Sequence, residues 1–508
     1  MFFFAFLLTF PFAYIINKEK GFERDEKLMF IDVNIYKNLE TDSDMIQAAV
    51  DAAALTGETV VIPKINARTG KSVWDITKTI LLDDESTVVL QNAHLRLGDG
   101  AFCNAFANRN SKLGGAIGKE HTQRNISIIG IGSAILDGGM HNGMYEDNGI
   151  ARKVMKKYDY HMTENCMMYF RNVENLKIDN ITIKNQRYWG ICMYTTSYSR
   201  VSNIRFISES NVPNQDGVDI LNGCHDVIVE NITGSIGDNI IAILASGGNV
   251  YRKVTNTLRE GDIHNITVRN VIAYGVCGCA LIRLLNHDGY RIYNVRIDNV
   301  IEASPWSEND ASVAQNPDLV IKTDDEGNIL PWKKLIPGEK GYRTEATIII
   351  GESYWYAEEK AKMGDTFGIS ISNVMSHSRY GVWLNNTLLD SSFDNIRMFG
   401  NGFMAVYFGE GEFENVRFSN LSYDKECKPL KSDEHIYIDW NKTESKGFSC
   451  VYFNGSKVEK VLFDNMKCGK YMDSVFGGHG TGNVLYSGLD YSEIPKLTTV
   501  DGVKVEER

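Results

Sequence analysis

The chain has 508 residues, 43% of them hydrophobic, and a formal net charge of −12. That apolar content is ample for a large core and excludes general disorder. The negative balance argues against nucleic acid as a partner, and an acidic substrate would have to be held by local cations. Nine cysteines, thinly spread and odd in number, read as reduced core thiols rather than a disulfide framework. Cys277 and Cys279 have no companion pair with which to build a zinc site.

Met1 to Ile16 is almost wholly apolar, yet shorter than the roughly 20 residues a membrane-crossing helix needs. No basic leader or small-residue cleavage site accompanies it. Residues 1–28 therefore read as an apolar leader, or as a start assigned too early with Met29 the true one. The first case makes the protein secreted or membrane-anchored, the second cytoplasmic. No membrane-spanning segment is expected in the mature domain, and the oligomeric state is left open.

Asp44 to Thr56 carries apolar residues at helical spacing and an acidic first turn, and leads through Gly57 into the apolar strand Thr59 to Pro63. A helix feeding such a strand suits the lid of a solenoid, whose first coil would otherwise expose its core. From Asn125 onward a motif recurs: Asn or Asp, alternating aliphatics, often a second Asn. It reads NLKIDNITI from Asn175, NIRFIS from Asn203, DVIVENIT from Asp226, NITVRNVI from Asn265 and NVRIDNVI from Asn294. It returns as NIRMFG from Asn395, NVRFSNLS from Asn415 and KVLFDNM from Lys460. Aligning the leading Asn residues puts the second position at Asn180, Ser208 and Asn231. That spacing fits one coil of a β-helix and falls short of the about 40 residues of a propeller blade.

In such a coil, alternate residues point in and out, and equivalents stack about 4.8 Å apart along the axis. Asn tolerates the left-handed backbone at the turns and can form ladders there. A second strand per coil reads Gly190 to Met193, Gly217 to Ile220 and Ile240 to Ile243. The expected fold is an all-β parallel β-helix solenoid with an N-terminal capping helix and long loop insertions. Residues 29–124 would hold the cap and first coils, 125–490 the β-helix and 491–508 a C-terminal tail. The insertions run from Gly139 to Tyr169, Ser246 to Asp262 and Glu302 to Arg343; Arg152, Lys153, Lys156 and Lys157 in the first read as solvated surface or as substrate contacts.

Stacked strands can hold carboxylates from neighbouring coils a few ångströms apart on one rigid sheet, which suits sugar hydrolysis by a carboxyl pair. Asp216, in Asn214-Gln215-Asp216-Gly217, opens one such strand, and Asp238, in Gly237-Asp238-Asn239, opens the next. A polar triplet ahead of an apolar strand, twice in successive coils, is hard to explain by packing. The bland reading is a pair of surface turns rich in Asp and Asn.

Here the chain resembles the polygalacturonases, glycoside hydrolase family 28, which are right-handed parallel β-helices. The likeness runs from about Ile128 to Val300 and is strongest at NQDGVDI, from Asn214, and GDNIIAI, from Gly237, with ILDGG from Ile135 beside it. The resemblance implies that Asp216 helps to activate water and Asp238 is the general acid. Asn239 stands where the family has a second water-activating Asp. The family's G-H-G turn is missing near Cys279, and the Gly478-His479-Gly480 found downstream reads as a turn. The R-I-K motif that grips a uronate is also unmatched; Arg283 is the nearest cation.

Glu352, after the strand Thr347 to Ile350 and ahead of Tyr354-Trp355-Tyr356, is a candidate replacement acid. Trp189 and Tyr380, each just before a glycine, are candidate sugar platforms or core residues. With Asn214 they complete the expected substrate-binding set. The expected activity is inverting hydrolysis of a plant or microbial, pectin-related or other glycan, with a neutral or singly acidic glycoside preferred over polygalacturonate. No metal or organic cofactor is implied. A lyase, an epimerase and a non-catalytic carbohydrate-binding adhesin are the alternatives on the same scaffold.

Overall fold

A computed structural model describes residues 30–99, 101–113, 118–139, 162–208, 214–246, 261–275, 280–303, 344, 346–351, 359–378, 380–400, 404–425, 449–470 and 472–508. It is a right-handed parallel β-helix with an N-terminal helix. Each middle coil contributes a short strand followed by a longer, bent one, and from Tyr380 onward the two run on as single strands of 17 to 22 residues. In one coil these are Ile191–Tyr194 and Ser197–Ile207; in the next, Val218–Leu221 and His225–Ile236. Equivalent strands pair in parallel from coil to coil.

The bend comes from left-handed residues, and Asn supplies most of them because its short amide tolerates positive φ. Asn180, Asn203 and Asn231 all have φ between 57° and 58°. Register puts these three in one row, since Asp179, Ser202 and Glu230 are partners. The expected alignment of Asn203 with Asn175 is therefore wrong. Tyr198, with φ 51°, fills that first row, and Ser208 lies beyond the bend. Each coil has two left-handed corners, and a tyrosine at the first hid the match.

The core is a set of inward columns. One column runs Ile178, Val201, Val229, Val268, Ile297, Ile371 and then Phe393, Phe418 and Phe463. The phenylalanines stack at 4.5 and 4.8 Å between centroids. The first coil is closed by helix Asp42–Thr56, whose Met45, Ile46, Ala49 and Val50 are buried against it. Thr41 caps its start by accepting from the Asp44 amide, and Gly57, at φ 74°, ends it.

At the other end, residues read as a tail include one more strand, Asp501–Glu507, paired in parallel with the strand before it. Its alternation is only seven residues long, too short to stand out from the sequence. Cys103, Cys166, Cys192, Cys224, Cys450 and Cys468 are buried free thiols. Cys277, Cys279, Cys427, the Arg152 to Lys157 cluster and most of each insertion lie outside the described residues.

Candidate active site

The short strands set up the site through their pleat. Ile191, Val218, Ile241, Ile282 and Ile348 share one inward column. The next residue of each strand faces the other way, giving the outward column Cys192, Asp219, Ala242, Arg283, Ile349, Trp383, Tyr407 and Tyr452. Trp189, Asp216 and Asn239 sit just ahead of three successive strands. Gly190 N–H donates to the Asp216 carbonyl at 2.9 Å, and Gly217 N–H to that of Asn239 at 2.8 Å. A side chain at 217 would put its Cβ 2.3 Å from the Ile240 carbonyl, so glycine is what lets the coils close here. Below, Gln186 Nε2 donates to the Asp216 carbonyl at 2.9 Å, and Gln215 Nε2 to that of Gln186 at 2.8 Å.

Asn239 joins the two acids. Its Nδ2 donates to Asp216 Oδ2 at 2.9 Å and to Asp238 Oδ1 at 2.7 Å. The two accepting oxygens are therefore under about 6 Å apart. Asp216 is 4% exposed, and Asp238 and Arg283 are half-buried. Burial, then the Asp238 charge, push the Asp216 carboxyl well above its usual range; the Asn239 bonds and Arg283 work against that.

Directly beside this pair lies an acid absent from the expected set. Asp219 is fully buried, and neither of its carboxyl oxygens has a hydrogen-bond partner among the described residues. Burial, then Asp216, hold its pKa well up. Its signal was present: Val218 and Ile220 face inward, so the Asp between them must face away from the coil interior. Among the described residues no cluster of three or more His, Cys, Asp or Glu is arranged to hold a metal.

The other expected residues are dispersed. Asn214 is half-buried in a left-handed turn at φ 54°. Trp189, 7% exposed, stacks on Tyr188 at 4.5 Å and packs in an outer apolar cluster with Tyr169, Cys192 and Leu221. It is a covered side chain and not an open platform. Tyr380, 2% exposed, has the same parity as Val382 and Leu384 and joins the core. Glu352 and Tyr354-Trp355-Tyr356 lie outside the described residues.

Solved structures with this fold include the tailspike of E. coli bacteriophage HK620, in complex with a hexasaccharide. It has a TM-score of 0.55 and 11% identity, over 93% of this chain and 78% of that one. The mannuronan C-5 epimerase A-module of Azotobacter vinelandii gives 0.50 and 12%, over 94% and 99%. At such identities these likenesses establish the fold. No curated protein matches the chain. Residues 104–300, which hold Asp216, Asp238, Asn239 and Arg283, match glycosyl hydrolases family 28. In that stretch the chain is polygalacturonase-like, with departures from the family at Asn239, at the G-H-G turn and at the R-I-K motif.

Proposed function

We propose that the protein is a glycoside hydrolase acting on a polysaccharide or its oligosaccharides, with Asp238 as acid and Asp216 as base. The observation that carries this reading is the Asn239 amide bonded to both carboxyls, which couples two acids from successive coils in a partly buried site. Asp238, nearer the surface, gives its proton to the glycosidic oxygen as the bond from that oxygen to the anomeric carbon breaks. Asp216 takes a proton from the attacking water as the water oxygen bonds to that carbon. One water is consumed, a hemiacetal and an alcohol leave, and the proton on Asp216 returns to Asp238 through solvent. Arg283 stands in the outward column near Asp216, and a neutral or singly acidic glycoside is the preferred substrate.

The test is incubation with a panel of polysaccharides, following reducing ends together with the absorbance of unsaturated products. Reducing ends without that absorbance support hydrolysis; unsaturated ends point to a lyase, and binding without product to an adhesin. The resemblance implies inversion. Retention, with a covalent intermediate, is the alternative outcome. Proton NMR of the first-formed anomer separates the two.

A further inference from the structure

Asp219 has no role in the reaction so far. Its place in the outward column could be filled by an aliphatic, as Ile349 does three coils on. An acid with both oxygens buried and unpaired costs stability. Asn239 adds a third acceptor, since its Oδ1 is also buried without a partner among the described residues. After Asp219 the column has only the methyl of Ala242 before Arg283, so the side-chain row steps down between the acid and the cation. Unpaired acceptors call for a small group bearing two O–H donors. A water molecule meets that description.

We propose that Asp219 holds the attacking water beside Asp216, so that Asp219 supplies the second carboxyl lacking at position 239. This rests on the hydrolase reading. One proton of the water goes to Asp216 as the new bond to carbon forms. The other stays on the product oxygen, hydrogen-bonded to Asp219, which ends the step unchanged.

The experiment compares kcat, KM and Tm for the wild type, Asp219→Asn, Asp219→Ala and Glu352→Gln on whichever glycan the panel identifies. Asp219→Asn is expected to lower kcat by ~10²-fold or more. KM should hold within about twofold and Tm should stay level or rise, as happens when strain kept for function is removed. Added formate should restore part of the rate to Asp219→Ala, a response that a packing role would not give. Wild-type kcat in Asp219→Asn, or loss of kcat accompanied by a fall in Tm and no formate rescue, overturns the proposal. So does a dead Glu352→Gln enzyme beside an active Asp219→Asn. A wild type that hydrolyses nothing overturns the hydrolase reading, and the water site with it.

Discussion

One outward column passes through two different chemistries. Upstream it reads Cys192, Asp219, Ala242 and Arg283; downstream it reads Ile349, Trp383, Tyr407 and Tyr452. The downstream rings lock together. Trp383 meets Tyr407 edge-on at 5.2 Å, Tyr407 stacks on Tyr452 at 6.0 Å, and Asn454 Nδ2 donates to the Tyr407 hydroxyl at 2.8 Å. Behind them the core column changes from branched aliphatics to stacked phenylalanines. Upstream, by contrast, buried acids crowd each other and some acceptors go unpaired. A solenoid can separate these tasks because each coil packs only on its neighbours. The downstream coils are built for cohesion, and the upstream ones carry a polar load that a stability-optimised sheet would not.

The sharpest test of this division is Asp238→Asn, which should lower kcat by ~10²–10⁴ while circular dichroism and Tm stay at wild-type values. A variant that unfolds would place Asp238 in the scaffold instead. Phe418→Ala should do the reverse: a loss of ~3–5 kcal/mol in denaturant unfolding with kcat per folded molecule unchanged. If activity fell with it, the two regions would not be separable.

Asn239→Asp replaces a donor to two carboxyls with a third negative charge. The Asp216 pKa should rise further, so the acidic limb of the pH–rate profile moves to higher pH. Once that limb passes neutrality, the rate at pH 7 falls by roughly tenfold for each further pH unit. A faster enzyme would mean that the site is a weakened copy of the family's. Folding stability has its own pH dependence. Asp216 and Asp219 have raised folded pKa values, so unfolding releases protons between the unfolded value of about 4 and the raised one. Stability should fall as pH rises through that window, and Asp219→Asn should flatten the slope seen by thermal melts. The smallest effect is expected from Asn270→Ala, which removes two bonds of a corner ladder, to Asn231 and from Asn299, and should cost about 1–3 kcal/mol.

Much of this architecture could be read from residues alone. Alternating aliphatics between asparagines announced the coil, because the pleat and the left-handed corner each demand a specific residue type. The register was harder to read. Two corners per coil accept the same residue, and Tyr198 stood in for Asn at one of them. The acid pair was legible as two polar triplets, but the bridging role of Asn239 was not, since a side-chain amide reveals its partners only in three dimensions. Trp189 and Tyr380, each before a glycine, read equally as platforms or as core residues, and only burial on either side of the sheet tells the two apart. Asp219 is hard to read from the sequence because its flanking valine and isoleucine make the segment look like core.

The corner ladders also have a direction. Asn231 donates to Asn203, Asn270 to Asn231 and Asn299 to Asn270, at 2.9 to 3.0 Å. In the other row Asn175 donates to Asn125, and Asn294 to Asn265, both at 2.6 Å. In every case the later coil gives the proton and the earlier one receives it, so the amide dipoles line up head to tail along the axis. Hydrogen bonds arranged in series polarise one another, by about 10–30% per bond. A row of this kind acts as a polar wire whose middle links are worth more than its end links. A substitution at Asn270, with neighbours on both sides, should therefore weaken bonds that it does not itself make.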